Sequence, residues 1–375
     1  MRINTIKLFV IIIFLSLGFQ KAHCQKMKEL FIDSVDNKLD ISIWLSKAHG
    51  FIPFMGVITE PAVGYGGNFG TLFIHKKPDT YKGPPGVTYT GGFFTENGSW
   101  GAVAAHVNNW RNDKIRYLGV FGYVDVNLTY YPIIANEITV PLGFSLSGVP
   151  FIQKMTFRLG ESNYFIGGKY SLFKNETVFK REGIIPPVKE RYLKGTVAGL
   201  GIVTGYDSRD NIFTPNTGIK TEIILMHNDK YLGSDYKYSF LETYGIYYHR
   251  LNPRLVSGYK LNYSLVWGDA PFYTEPFVNM RGVPAMRYQD KQILQLEVEE
   301  RWHLKNRWSL VGFGGIAKAY PNIDDWHTTD TAWSAGGGIR YLLAKLFDMH
   351  AGLDIARGPE EWTFYFVVGS SWSRQ

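Results

Sequence analysis

The C-terminal segment of this chain alternates apolar and polar side chains with a period of two residues. Between residues 361 and 372, one set of alternate positions is apolar and largely aromatic: Trp362, Phe364, Phe366, Val368 and Trp372. The other set is mostly polar or small and includes Glu361, Thr363, Tyr365, Gly369 and Ser371. Successive side chains of a β-strand point to opposite faces, and strands of membrane barrels present aromatic-bordered apolar faces to lipid. The segment therefore predicts a lipid-facing β-strand.

Two internal segments repeat this pattern. The first has an apolar face on alternate positions from Leu118 to Leu128, opposite Tyr117, Tyr123, Asp125 and Asn127. The second has Leu294, Leu296, Val298 and Trp302 opposite Gln295, Glu297, Glu299 and Arg301. Glu300 falls on the apolar face of the second segment, which predicts an interfacial position or a β-bulge. In both segments we expect the apolar face to contact lipid.

Thirteen other segments have strand-like patterns, which brings the predicted number of strands to sixteen. They are 51–58, 64–75, 86–95, 100–110, 143–158, 163–174, 193–206, 218–228, 236–249, 255–266, 308–319, 331–342 and 348–357. An even number of strands suits a bacterial outer-membrane barrel. A soluble β-sandwich or propeller would also alternate, but its exposed faces would be polar. The predicted fold class is therefore all-β, a transmembrane antiparallel β-barrel of about sixteen strands.

The N-terminal residues predict export. Residues 1–24 combine Arg2 and Lys7 with an apolar run from Leu8 to Leu17 and a small-x-small site that ends at Cys24, which is typical of a signal peptide. An uncleaved membrane anchor and a lipoprotein cysteine are the alternatives. Cys24 is the single cysteine of the chain, so the mature protein is expected to have no disulfide and no thiolate metal site.

Residues 25–50 leave little room for a separate domain before the barrel, which we assign to residues 51–375. Within them, the segment from Asp40 to His49 predicts a short capped helix, either in the barrel mouth or on the periplasmic rim. An ordered N-terminal tail is the alternative. The formal net charge is +7, but the Lys and Arg residues are scattered through predicted loops. We therefore expect no nucleic-acid partner and assign the charge to loops that face outer-membrane lipid and lipopolysaccharide.

A long polar and aromatic insert separates the eleventh and twelfth predicted strands. Its centre, Met280-Arg281-Gly282, pairs a fixed positive charge with a residue that lets the chain turn freely. If the insert folds into the barrel, Arg281 needs an anionic partner. Glu297 and Glu299, on the polar face of the next strand, are candidates.

Four motifs in this order resemble the BamA-type barrels of the bacterial surface antigen superfamily, which includes the TamA-like proteins. The first strands carry Glu60-Pro61 and the glycine-rich run from Gly64 to Gly67. Tyr206-Asp-Ser-Arg-Asp-Asn211, followed by Pro215 and Gly218, resembles the mid-barrel hairpin motif. Met280-Arg281-Gly282 resembles the core of the sixth extracellular loop, and Gly352-Leu353-Asp354 resembles a late-strand motif. The likeness covers residues 51–372.

The resemblance implies that the long loop folds inside the barrel and that Arg281 pairs with Asp354. It also implies that the aromatic terminal strand, with Trp362, Phe364, Phe366 and Trp372, is a recognition signal for the barrel assembly machinery. Three features depart from the family: the chain has no POTRA domains, Val283 replaces the aromatic residue after the loop glycine, and three residues follow Trp372. We therefore expect that any POTRA domain would belong to a periplasmic partner.

Other charged residues predict structure rather than chemistry. We expect Asp207, Arg209 and Asp210 to form a local charge network at a strand-to-loop turn. The histidines are spread out, with no His-x-x-x-His pair, Gly-x-Ser-x-Gly elbow or phosphate-binding loop. We expect no enzymatic activity, no metal and no cofactor.

The resemblance implies a role in inserting or translocating protein or lipid at the outer membrane. The expected mechanism uses a weakly paired contact between the first strand, near 51–58, and the last, near 361–372, because unpaired strand edges can template incoming strands. A loop-plugged transport pore and a structural surface antigen are the alternatives.

Overall fold

The structure is a computed structural model, and it describes residues 30–76, 85–134, 138–179 and 192–374. Sixteen long strands form the barrel, which confirms the predicted fold class and strand number. We number them in chain order: β1 (Gly50–Glu60), β2 (Gly64–Ile74), β3 (Val87–Thr95), β4 (Trp100–Trp110), β5 (Ile115–Tyr130), β6 (Leu142–Arg158), β7 (Tyr164–Phe179), β8 (Tyr192–Asp207), β9 (Gly218–Asn228), β10 (Tyr238–Asn252), β11 (Leu255–Gly268), β12 (Gln292–His303), β13 (Trp308–Tyr320), β14 (Thr331–Ala344), β15 (Met349–Arg357) and β16 (Trp362–Val368). The predicted signal peptide, residues 1–24, lies outside the described residues.

Each strand pairs in antiparallel register with the next along the chain, so the sheet order follows the sequence from β1 to β16. Consecutive connections therefore lie at alternate ends of the barrel. The connection 269–291, here called the long loop, follows β11 and lies at one end, the long-loop end. The turns 208–217, 304–307 and 345–348 lie at the opposite end. Among the described residues, β1 and β16 share no strand pairing, so the barrel is nearly closed.

The short helix α1 (Ser42–Lys47) precedes β1 and lies on the rim of the opposite end. The backbone N–H of Ile41 donates to the carbonyl of Leu343 at 2.9 Å, and the N–H of Leu346 donates to the hydroxyl of Ser42 at 3.0 Å. These contacts place the helix beside β14 and the turn after it, and not in the barrel mouth. Among the described residues, no helix is long and apolar enough to cross a membrane.

Outward and inward faces of β12 follow the predicted alternation. Leu296 and Trp302 are exposed on the outer face, whereas Glu297 and Glu299 are buried in the lumen. Glu300 lies on the outer face without a bulge, since its register with β11 and β13 is unbroken. It accepts a hydrogen bond of 2.6 Å from the hydroxyl of Ser257 on β11.

The predicted orientation of β5 is wrong. Arg116 points inward to Asp207, and Leu118, Val120, Val124 and Val126 share its parity, so the face expected to meet lipid lines the lumen. The outer face instead carries Phe121 and Tyr123, which are 57% and 40% exposed. The lumen wall is therefore apolar along β5, and the alternation of polarity does not reveal which side is outside.

The last strand also ends earlier than predicted. Trp362, Phe364 and Phe366 lie on the outer face, but β16 ends at Val368 and Gly369 takes a φ of 76°. The chain then turns into the lumen as a short 3₁₀ helix, Ser371–Arg374, so the assignment of Trp372 to the strand is wrong. Trp372 is 3% exposed and packs against Tyr248.

Candidate functional site

The long loop folds into the barrel and is held there by apolar contacts. The backbone N–H of Val278 donates to the carbonyl of Tyr288 at 2.9 Å, which closes a hairpin-like excursion. Val278, Met280 and Val283 are buried and pack against Ile293, Ala317 and Ala332 on the inner faces of β12 to β14. Burial of these apolar side chains stabilises the inward-folded loop, because the same side chains would be exposed to water if the loop lay outside the barrel.

Arg281, at the tip of the loop, meets two carboxylates. Its guanidinium donates to Asp354 on β15 at 2.6 Å and to Glu299 on β12 at 2.8 Å. The guanidinium carbon also lies 3.4 Å from the centroid of the Phe313 ring, which adds a cation–π contact. Asp354 is fully buried and also accepts from Arg340 on β14, at 2.9 Å to its Oδ2 atom. Two guanidinium groups therefore share one carboxylate, in what we call the clamp: Arg281, Arg340, Asp354 and Glu299.

Two glycines allow the clamp to assemble. Gly282 has a φ of 83°, and its N–H donates to the hydroxyl of Tyr365 on β16 at 2.8 Å. A Cβ atom at Gly338 would lie 2.0 Å from the carboxylate of Asp354, so only glycine leaves room for that side chain. Arg340 is absent from our sequence predictions, and the run Gly336-Gly337-Gly338 beside it is the signal that could have indicated a crowded inner wall.

Glu297 lies near the clamp but has different partners. It accepts from the ammonium of Lys260 on β11 at 2.9 Å and from the side-chain amide of Gln295 at 2.7 Å. The indole N–H of Trp372 donates to its other oxygen at 3.2 Å. Ser371 donates to Glu299 at 3.0 Å. The C-terminal segment is therefore hydrogen-bonded to the same two strand carboxylates that surround the long loop.

The mid-barrel motif divides into an ion network and a turn. Asp207 accepts from Arg209 at 2.8 Å and from Arg116 on β5 at 2.9 Å. Asp210 is not part of this network, which corrects the prediction: its carboxylate accepts the backbone N–H groups of Asn216 and Thr217 and shapes the turn.

Gly218 and Tyr206, at the two ends of this motif, have structural roles outside the ion network. Gly218 has a φ of 106°, and a Cβ atom there would lie 2.4 Å from the carbonyl oxygen of Ser208. Tyr206 faces outward and packs edge-on against Tyr164 at a centroid distance of 4.8 Å. Tyr206 therefore contributes to the outer surface and not to the ion network.

The turn 208–217 crosses the lumen at the opposite end. The side-chain amide of Asn216 donates to Asp348 at 2.6 Å, and its oxygen accepts from Arg301 on β12 at 2.6 Å. The carbonyl of Phe213 accepts from the N–H of Ser370 at 2.6 Å. The turn thus bonds to the late strands and to the C-terminal segment.

Three aspartates of the N-terminal segment surround one guanidinium on the same rim. Arg307 donates to Asp33 at 2.5 Å, to Asp36 at 2.6 Å and to Asp40 at 2.7 Å. The hydrogen bond from Arg307 lowers the pKa of Asp36 below its usual value. Burial opposes the ionisation of Asp40, but hydrogen bonds from Ser42 and Arg307 lower its pKa overall. These contacts hold the chain in place just before β1.

The seam is the contact between β1 and β16. β16 has seven residues and β1 has eleven, the chain leaves the sheet at Gly369, and the described residues form no strand ladder between β1 and β16. The ring of Tyr65, at the start of β2, stacks on Phe364 of β16 at a centroid distance of 5.4 Å. Side-chain packing rather than a hydrogen-bond ladder therefore joins the two edges.

Solved structures share this architecture. The chain is similar to the crystal structure of BamA from Haemophilus ducreyi lacking POTRA domains 1–3, with a TM-score of 0.59 and 13% identity over 86% of this chain and 70% of that one. The fold is that of a BamA-type barrel. CdiB from Acinetobacter baumannii is also similar, with a TM-score of 0.53 and 9% identity over 85% of this chain and 59% of that one. No protein-family model and no curated protein matches the sequence.

Ion pairs line the interior of the barrel. Within residues 30–76, 85–134, 138–179 and 192–374, no group of three or more His, Cys, Asp or Glu side chains could hold a metal ion. The carboxylates that sequence analysis singled out, Asp354, Glu299, Glu297 and Asp207, each bind a basic side chain. The arrangement can hold the long loop and the C-terminal segment in the lumen.

Proposed function

We propose that this BamA-type barrel assists the insertion or translocation of polypeptide or lipid at the outer membrane, without chemical catalysis. The observation that carries the proposal is that, in the described part of the chain, β1 and the shorter β16 form no strand ladder. Exposed N–H and C=O groups of an edge strand can pair with the backbone of another chain. A strand of a client protein therefore pairs with β1 before the client is released from the barrel.

The interior contacts support a barrel that stays intact while the seam opens. The clamp joins the long loop to β12, β14 and β15. The segment after Gly369 is bonded to β12 and to the turn 208–217, so the end of β16 is anchored inside the lumen. Separation of β1 from β16 breaks side-chain contacts such as that of Tyr65 with Phe364, and no described strand ladder. This makes the seam the contact with the lowest cost of opening.

The partners that we propose follow from the same role. The barrel assembly machinery would insert this protein through its aromatic last strand, and outer-membrane lipid and lipopolysaccharide would surround it. A POTRA-bearing periplasmic protein could deliver clients at the opposite end, where α1 and the turns 208–217 and 345–348 lie.

Depletion of the protein in its host, followed by quantitative proteomics of the outer membrane, tests this proposal. We expect a defined group of other barrels or surface proteins to fall in abundance and to recover when the wild-type gene is restored. A matched culture complemented with the Lys194→Gln/Lys237→Gln variant, which changes two side chains that are each 75% exposed, controls for expression. Unchanged levels of every other outer-membrane and surface protein would refute the assembly role.

A loop-plugged pore is the second candidate, because the long loop occupies the lumen. Deletion of residues 270–288 should then raise single-channel conductance in planar bilayers. Equal conductance of the deletion variant and the parent would refute the pore.

A further inference from the structure

Residues 31–49, here called the rim segment, turn their carboxylates toward the barrel. The three aspartates of the segment, Asp33, Asp36 and Asp40, all bind the guanidinium of Arg307 on the turn between β12 and β13. The side chain of Arg307 is 4% exposed, and that of Asp40 is 7% exposed. The rim segment is therefore held to the barrel by its charged side chains.

The aliphatic side chains of the same segment are exposed. Val35 is 80% exposed, Leu39 is 47% exposed and Ile43 is 44% exposed. Leu346, whose backbone N–H donates to the hydroxyl of Ser42, is 70% exposed and extends this apolar patch. A surface in water normally has the opposite arrangement, with carboxylates outside and large aliphatic side chains inside. A gathered set of exposed apolar side chains marks a contact surface.

The apolar patch adjoins the lipid-facing side of β13 and β14. On that side Trp308 and Tyr341 lie opposite each other in the strand register, with ring centroids 5.0 Å apart. Leu310 and Ile339 form the next outward-facing pair, farther from the rim. The hydroxyl of Tyr341 donates to the carbonyl of Leu39 at 2.9 Å. Because aromatic side chains border the apolar band of a membrane barrel, Leu39 lies where that band ends.

The position of the patch indicates which leaflet it meets. Outer-membrane barrels have short turns on the periplasmic side and longer loops outside. The short turns 304–307 and 345–348 lie at the end of the rim segment, and the long loop lies at the other end. The neighbouring leaflet is therefore the phospholipid leaflet. Lys47 of α1 is exposed, whereas the carboxylates of the segment are bound by Arg307 and Lys345, so the surface suits anionic head groups.

We propose that the rim segment is an interfacial anchor, in which Val35, Leu39 and Ile43 enter the phospholipid leaflet that faces the periplasm. Interfacial segments bury their apolar side about 5–10 Å into the boundary between head groups and acyl chains. Ala48 and His49 connect α1 to β1, so the anchor also sets the depth in the membrane at which the first strand begins. The inference is independent of the proposed function, because it concerns the contact of the barrel with lipid.

Single cysteines that carry an environment-sensitive dye test this placement. The full chain first receives Cys24→Ser, which removes its single cysteine. Val35→Cys, Leu39→Cys or Ile43→Cys is then introduced, and the labelled protein is placed in nanodiscs of phosphatidylethanolamine and phosphatidylglycerol, whose two faces are both open to water. We expect the dye emission at each position to shift to shorter wavelength, and its quenching by aqueous iodide to fall.

Two reference positions give the limits of these signals. Glu161→Cys lies on a polar turn at the same end and is 84% exposed, so it should show the emission and iodide quenching of a dye in water. Leu310→Cys, on the lipid-facing side of β13, should show those of a dye in the membrane. Signals at Val35→Cys, Leu39→Cys and Ile43→Cys equal to those at Glu161→Cys would overturn the anchor.

Nitroxide-labelled lipids in the same nanodiscs measure the depth of the dye. A nitroxide near the head group should quench the dye at Leu39→Cys more strongly than a nitroxide near the end of the acyl chain. Absence of quenching by both lipids would contradict insertion. Shielding from iodide in native outer-membrane fragments but not in nanodiscs would overturn the assignment to lipid and indicate a protein that covers the patch.

A substitution series tests which side chains hold the segment in the leaflet. In the labelled Val35→Cys protein, Leu39→Ser/Ile43→Ser should move the dye emission toward that of Glu161→Cys, because two apolar side chains are lost. Ser34→Ala/Ser46→Ala is the matched control, since it changes two exposed polar side chains of the same segment, and it should leave the emission unchanged. An emission that Leu39→Ser/Ile43→Ser does not move would count against insertion through these side chains.

Discussion

The substitution Asp354→Asn tests the clamp most sharply. It keeps the shape of a side chain that is fully buried and removes its negative charge. Arg281 would retain the carboxylate of Glu299, at 2.8 Å, whereas Arg340 would lose the carboxylate to which it donates and keep neutral acceptors such as the carbonyl of Ile339, at 3.2 Å. Breaking a buried ion pair typically costs about 3–5 kcal/mol, because a charge stays buried without its partner. We expect the free energy of unfolding to fall by that amount.

Urea unfolding in detergent, followed by tryptophan fluorescence, measures this change. The midpoint should move to lower urea concentration with an unchanged slope. The double variant Asp354→Asn/Arg340→Gln also removes the stranded cation, so its loss should be smaller than the sum of the two single losses by about 0.5–3 kcal/mol.

A surface pair gives the matched control for this series. Glu161 is 84% exposed and binds Lys114 at the turn between β6 and β7. Glu161→Gln should change the free energy of unfolding by less than about 1 kcal/mol. A loss below 1 kcal/mol for Asp354→Asn itself, or strictly additive single losses, would refute the clamp.

Four further predictions concern the C-terminal segment, the rim and the mid-barrel turn. Trp372→Ala should lower the free energy of unfolding by about 3–5 kcal/mol, because a buried indole is lost; an unchanged urea midpoint would argue against its packing in the lumen. Arg307→Gln should speed tryptic cleavage within residues 33–47, and a cleavage rate equal to the parent's would contradict the contact. Because the pKa of Asp36 is lowered in the folded protein, its contribution is present above the ordinary value of 3.8 and is lost as pH falls through the lower folded pKa. The fluorescence anisotropy of a dye attached to α1 should therefore decrease only when the pH falls below the ordinary pKa of Asp36. A decrease near pH 6 would contradict the claim that aspartate carboxylates hold this segment. Gly218→Ala should cost about 1–3 kcal/mol through backbone strain, with an unaltered midpoint as the contrary result.

Strand positions could be predicted from the sequence because the period of two is local. The period alone does not determine which face of a strand points into the lumen. In β12 the two faces differ strongly, since Glu297 and Glu299 oppose Leu296 and Val298, and the orientation was predicted correctly. In β5 the inner face is apolar and the outer face carries Tyr123 and Asp125, so hydropathy alone indicates the wrong side.

The site could be predicted in part. Strand register placed Glu299 on the inner face, and the resemblance to BamA-type barrels supplied the pairing of Arg281 with Asp354, which no local pattern contains. Arg340 was missed because its contact with Asp354 depends on the space that Gly338 leaves, a feature of two adjacent strands.

The C-terminal segment shows another limit. Trp372 fits the aromatic alternation of β16, but a turn with positive φ at Gly369 sends it inward. A single glycine in a strand pattern is too common to indicate such a break.

The most direct test of the account is a reversible link across the seam. Tyr65→Cys/Phe364→Cys replaces two stacked rings and can be joined by a short bifunctional thiosulfonate reagent. Tyr247→Cys/Tyr259→Cys is the matched control, because these rings also stack, at 6.2 Å, but lie on the paired strands β10 and β11. Each variant is expressed in cells that lack the parent protein, and the outer membrane is analysed by quantitative proteomics.

We predict that linking the seam lowers the levels of client proteins, that reductant restores them, and that the control link has no effect. Full levels of every outer-membrane and surface protein with the seam linked would contradict a function that depends on separating β1 from β16.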